Sequence, residues 1–182
     1  MHMKSSIAIP EGFELIETAQ GKLIRRKWFS WAVIPVIFFA IVWDGFLIFW
    51  YGMALASDGK APWIMILFPL GHVAVGVGIT YFVICSFFNK TDILITSDEV
   101  GIITHPLPWP GNKRVPAHGI HDLRVRHRFA NRGQARFALM YVDGTNHERK
   151  LMSSISHHEQ ALFIEDKIRE MLNLPPPENS TG

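Results

Sequence analysis

Asp44 and His72 are the residues of this chain most suited to chemistry, because each sits inside a long apolar run where an ionisable group is costly. Folding the chain back about Asp58 brings residues whose numbers sum to about 116 to one depth. Asp44 then faces His72, and Gly45 faces Gly71, two residues small enough for close helix packing. A carboxylate opposite an imidazole can clasp two helices together. It can also move a proton or hold a ligand, or meet another subunit. The clasp is the leading reading.

A second candidate is the basic stretch from Arg124 to Arg136, which carries Arg124, Arg126, Arg128, Arg132 and Arg136 without one acid. Guanidinium groups offer a fork for phosphate, so this stretch is a candidate docking surface for anionic lipid headgroups or a protein partner. A solvated strand face is the plainer alternative. The nine histidines include His118-Gly-Ile-His121, the pair His157–His158, His105 and His127. None falls into a metal-binding motif, and residues three apart on a strand point to opposite faces. Ser153, Ser154 and Ser156 lack a nucleophile elbow, and no glycine-rich phosphate loop occurs. No catalytic residue, metal or cofactor is therefore expected.

The elements holding these residues begin with two apolar runs, Trp28–Tyr51 and Pro62–Phe88, in which Asp44 is the one formally charged residue. A 24-residue helix is about 36 Å long, enough to cross a hydrocarbon slab about 30 Å thick. The first run begins too late and runs too long for a cleaved signal peptide, so it reads as a retained anchor. Lys22, Arg25, Arg26 and Lys27 crowd its start, whereas the connecting loop holds only Lys60 beside Asp58. The positive-inside rule then places both termini in the cytoplasm. Trp28 and Trp31 would mark the inner interface, and Trp50, Tyr51 and Trp63 the outer one. Pro69 predicts a kink one turn before His72. The lone Cys85 excludes an intramolecular disulfide. The sequons at Asn89 and Asn179 would be cytoplasmic and inert.

Beyond Asn89 the pattern shortens to a period of two. Strands are expected at Asp92–Thr96, Val100–His105, Lys113–Pro116, Ile120–Arg128, Arg136–Val142 and His147–Met152, with a hairpin turn at Asp143-Gly144. Ser156 and Glu159 form a capping-box pattern ahead of an apolar stripe, Ala161, Ile164, Ile168, Met171 and Leu172, ending at Asn173. The segmentation is a head (1–27, with a strand hairpin at 13–26), two spans (28–51 and 62–88), a domain (89–174) and a disordered tail (175–182).

Two membrane helices, the segment Asn89-Lys-Thr-Asp-Ile-Leu-Ile95, a strand series and a closing Glu159-Gln-Ala-Leu-Phe-Ile164 helix resemble bacterial membrane proteins carrying a PH-like domain. The resemblance covers roughly residues 10–174. It implies a small antiparallel β-barrel of seven strands with a C-terminal amphipathic helix, hence a membrane α+β protein, and it brings no catalytic residues. The sequence reading is a non-enzymatic protein of the bacterial inner membrane presenting an interaction or lipid-proximal module. Its partners are the bilayer, anionic headgroups, and a protein partner or a second copy, with no role for nucleic acid. An accessory subunit of a transporter or membrane enzyme using Asp44 and His72 is the alternative. A membrane-tethered metal-dependent hydrolase is the third.

Overall fold

The computed structural model describes residues 8–57, 62–129 and 135–177. Asp58, Lys60, Arg132 and the last five residues, all of which carried expectations above, lie outside them. The chain divides into two compact units: residues 1–27 with 90–182, and Trp28–Asn89.

In the first unit, β1 (Phe13–Thr18) and β2 (Gly21–Lys27) come from the head, and β3 (Lys90–Thr96), β4 (Glu99–His105) and β5 (Lys113–Pro116) from the tail. They form one antiparallel sheet in sequential order. The head is thus part of the domain: β2 pairs with β3 from Gly21↔Thr96 to Lys27↔Lys90, although Trp28–Asn89 intervenes in the chain. Gly21 is required at its position, because a Cβ there would lie 2.1 Å from the Ile95 carbonyl oxygen. A second antiparallel sheet holds β6 (Asp122–Phe129), β7 (Ala135–Val142) and β8 (Glu148–Ile155). Among the described residues eight strands form two antiparallel ladders that do not close, so α+β architecture is present but the seven-stranded barrel expected above is not shown.

Alternation explains the shared core. Ile24, Ile93, Ile95, Val100 and Ile102 from the first sheet, and Leu123, Leu139 and Ile155 from the second, are buried together. Helix α4 (His158–Leu172) adds Ala161, Phe163, Ile164 and Ile168, with Phe163 edge-on to Phe13 at 6.1 Å between ring centres. The expected capping box does not form: α4 starts at His158, and no side chain caps its N-terminus. Asn173 takes the left-handed conformation (φ 51°), and the Leu174 N–H donates to the Arg169 carbonyl, closing the helix. At the Asp143 turn the left-handed residue is Asn146 rather than Gly144. The Asp143 carboxylate organises this turn, accepting from the Thr145 hydroxyl (2.6 Å), the Thr145 and His147 N–H groups and Arg149 Nε. Those bonds, the Thr145 hydroxyl first, hold its pKa far below the aspartate range.

The second unit holds α1 (Ile34–Leu55), preceded by a 3-10 turn at Trp31–Val33, then α2 (Trp63–Leu67) and α3 (Leu70–Phe88). Trp31–Leu55 and Trp63–Phe88 are each long and apolar enough to cross a membrane. The buried residues along the first are Val33, Ala40, Leu47 and Ala54, seven apart. Pro69 and Gly76 follow the same interval on the second. A seven-residue repeat keeps one stripe in contact when two helices wind left-handedly.

Candidate functional site

Pro69 interrupts the second run between α2 and α3. Having no N–H, it leaves the Met65 carbonyl without its helical donor, four residues back. Trp50 supplies the replacement: its Nε1–H donates to the Met65 oxygen at 3.0 Å, and the Tyr51 hydroxyl donates to the Ile66 oxygen at 3.1 Å. These two side chains, expected above as interface markers, cap backbone carbonyls beside the proline break.

The depth pairing expected for Asp44 is not the one found. Trp43, the residue before it, takes His72: its Nε1–H donates to the His72 carbonyl at 3.1 Å, and the two rings stack with centres 5.7 Å apart. Phe68 lies on the imidazole as well, at 5.4 Å. Asp44 is rotated onto the flank of the seam, where the Thr80 hydroxyl donates to its Oδ2 at 2.6 Å. Its Oδ1 lies against Gly76, where an added Cβ would come within 2.7 Å. Asp44 and Gly76 sum to 120, whereas Trp43 with His72, Trp50 with Met65 and Tyr51 with Ile66 sum to 115, 115 and 117, so the counted depth holds and the face Asp44 presents is what differs. Gly45, Gly71 and Gly78 have open space at their Cβ positions, so Gly76 alone among these four is a close-approach glycine.

Beside this pair runs a groove of about 630 Å³. Leu47, Ile48 and Tyr51 form one wall, Val73, Val77 and Ile84 the other, and Asp44 and Thr80 face into it. Apart from Thr80 and the Tyr51 and Tyr81 rings the lining is aliphatic, so a donor entering here would meet one carboxylate. Sequence reasoning found Asp44 but missed Thr80. A hydroxyl eight residues after His72 and four after Gly76, on a helix with few polar side chains, was the available signal.

The β domain uses its polar residues differently. Arg124 Nη1 donates to Glu148 at 3.0 Å and Arg124 Nε to Asp122 at 3.3 Å, while Arg126 donates through Nε and Nη2 to the same Glu148. Among the described residues, Arg124 and Arg126 of the basic stretch are therefore paired. Arg136 opens β7 at an exposed position, in register with Arg128 of β6. Its charge adds to burial in lowering the pKa of the half-buried Arg26.

Sequence reasoning also missed two clusters. Arg25 grips Asp92 through Nε (2.9 Å) and Nη2 (2.8 Å), and His105 Nε2 lies 3.0 Å from the same carboxylate. The Arg25 bond is the main cause holding the Asp92 pKa below its ordinary range. On α4, Arg169 is 6% exposed and donates to Glu165 (2.9 Å), Asp122 (2.8 Å) and the carbonyls of Leu123 (2.6 Å) and Pro175 (2.5 Å). Burial raises the Glu165 pKa against the opposing pull of Arg169. The acid-then-base spacing of Glu165 and Arg169 on one helix was the readable sign.

The remaining candidates are dispersed. His127 packs edge-on against Phe137 and His158 stacks on it, with ring centres 5.1 and 5.0 Å away. His118 falls in a short 3-10 turn, and His121 lies against Gly144. Cys85 is fully buried. Among the described residues no three His, Cys, Asp or Glu side chains gather as a metal site. Compared with known proteins, the chain matches no protein-family model and no curated sequence.

Proposed function

We propose that the chain is a non-enzymatic protein of a bacterial inner membrane that crosses the bilayer twice and presents its β domain, a PH-like module, to the cytoplasm for docking. The observation that carries this reading is the pairing of β2 with β3 across the intervening helices. Lys27 and Lys90 are ladder partners, so the chain must leave and re-enter on one side of any membrane, which two crossings satisfy. Burial supports the crossings: 17% of the most apolar window of the first helix and 11% of the second is buried, whereas a soluble core helix hides most of its surface. Lys22, Arg25, Arg26 and Lys27 ahead of the first helix and Lys90 after the second favour the cytoplasmic side. Two antiparallel sheets sharing a core with a C-terminal helix agree with a PH-like module. The commitment of Arg124, Arg126, Asp92, Asp122 and Glu148 to ion pairs agrees with a docking scaffold rather than a reactive centre.

In a Cys85→Ser background, a cysteine at Ser57 should react with a membrane-impermeant maleimide on intact spheroplasts. A cysteine at Gly144 should react only after lysis. The reverse pattern would overturn the orientation, and release of the chain by alkaline carbonate would overturn the crossings.

A further inference from the structure

We infer that the groove beside Asp44 seats a third membrane-spanning helix, supplied by a partner protein, that carries a lysine or arginine at mid-span. The inference rests on the two-crossing reading above. Asp44 is residue 11 of the 22 in α1, so it lies at the centre of the span. Among the described residues one side chain, Thr80, donates to its carboxylate, which can accept about four hydrogen bonds. Oδ1 faces the Gly76 backbone, an apolar neighbour. A carboxylate at this depth is expensive unless an opposite charge or further donors reach it.

The groove has the shape of a helix seat. On α3 its wall runs from Val73 to Ile84, about 16 Å or three helical turns, and it lies open along the flank of the seam. Its lining is mostly aliphatic, with Thr80 and the Tyr51 and Tyr81 rings beside one charged position, Asp44, an arrangement that selects a partner by one complementary charge in a largely apolar contact.

Charge decides the occupant. Trp31–Leu55 and Trp63–Phe88 contain no lysine or arginine, so a second copy would bring another carboxylate to the groove. The His72 imidazole is held between Trp43 and Phe68, away from Asp44. A free lipophilic amine offers the same ammonium but leaves most of a three-turn wall uncovered. A basic transmembrane helix matches both the charge and the length.

The test uses the full chain, labelled with a donor dye on a Ser57→Cys cysteine and reconstituted in phosphatidylcholine vesicles. Synthetic leucine-alanine transmembrane peptides with a central Lys, Leu or Glu carry the acceptor. The Lys peptide should associate at least tenfold more tightly than the Leu peptide, and the Glu peptide no better than the Leu peptide. Asp44→Asn and Asp44→Leu should abolish the Lys preference. Equal binding of the Lys and Leu peptides would overturn the inference. So would a preference that survives Asp44→Leu, energy transfer between copies that Asp44→Leu removes, or dodecylamine competing as well as the Lys peptide. Should either variant misfold by circular dichroism, the three-peptide comparison on the unaltered chain still decides. A chain that washes off the vesicles at alkaline pH overturns the two-crossing reading as well, whereas a retained chain without Lys preference overturns this inference alone.

Discussion

Arg169 in the β domain and Asp44 in the helical unit are both ionisable groups set among apolar side chains, and their partners differ sharply. Arg169 donates to two carboxylates and two backbone carbonyls, so its charge is answered from α4, β6 and the segment after Asn173. Asp44 receives one hydroxyl and borders an open groove. A buried charge with a full set of partners is a fastening, and removing one member strands the others. A charge with one neutral partner is a position still able to receive something. Arg169 is answered on every side from within the domain, and Asp44 is left open on one side.

The largest effect that would sharpen this contrast is Arg169→Ala. It strips the buried Glu165 of its cation, while Asp122 keeps Arg124, and should cost about 3–5 kcal/mol. In detergent, the β-sheet circular dichroism should melt many degrees lower while the helical signal persists. Simultaneous loss of both signals would break the separation of the two regions. Next is Gly76→Ala, whose methyl group meets Asp44, Trp43 and Leu47 at 2.7–3.3 Å. Overpacking there should cost about 1–3 kcal/mol of helical stability, while Gly71→Ala, with open space, should be neutral. Equal melting of the two variants would show that the seam does not depend on close approach.

The smallest effect concerns Asp92. Its folded-state pKa is lowered, chiefly by the Arg25 bond, so the pair contributes stability above the ordinary aspartate range of about 4 and loses it as pH falls toward the folded value. Asp92→Asn should therefore flatten the stability profile between pH 5 and pH 3 by under about 1 kcal/mol, read from denaturant midpoints. An unchanged profile would mean that the half-exposed pairs of the sheet are electrostatically idle.

Much of the architecture was legible in residue order. Apolar length marked both long helices, and the alternation of Ile93 and Ile95 or Leu123 and Val125 marked strands, because those periods follow from backbone geometry. Asn173 announced the end of α4, since Asn tolerates the left-handed conformation. The site was legible only by residue type. Depth along a hairpin can be counted, and Trp43 with His72 keeps the counted level, but the face a residue presents cannot be counted, and Asp44 is turned toward Gly76 and Thr80. Ion pairs such as Arg126–Glu148 were hidden for a related reason: they reach diagonally over β7, and register is a tertiary property. The capping pattern at Ser156 failed because α4 starts at His158, too late for that serine to cap it.

The Lys27↔Lys90 pairing also sets a timetable for synthesis. On a ribosome adding about 5–20 residues per second, β1 and β2 are complete roughly 3–12 s before the first residue of β3 exists, because the 62 residues Trp28–Asn89 must be made first. Throughout that interval the β2 edge that will take β3 has no partner, and its Leu23 and Ile24 are ready to join any passing strand. Lys22, Arg25, Arg26 and Lys27 crowd that same strand. Charged side chains on an unpaired edge disfavour addition of an apolar strand, so this row blunts the β2 edge until β3 arrives.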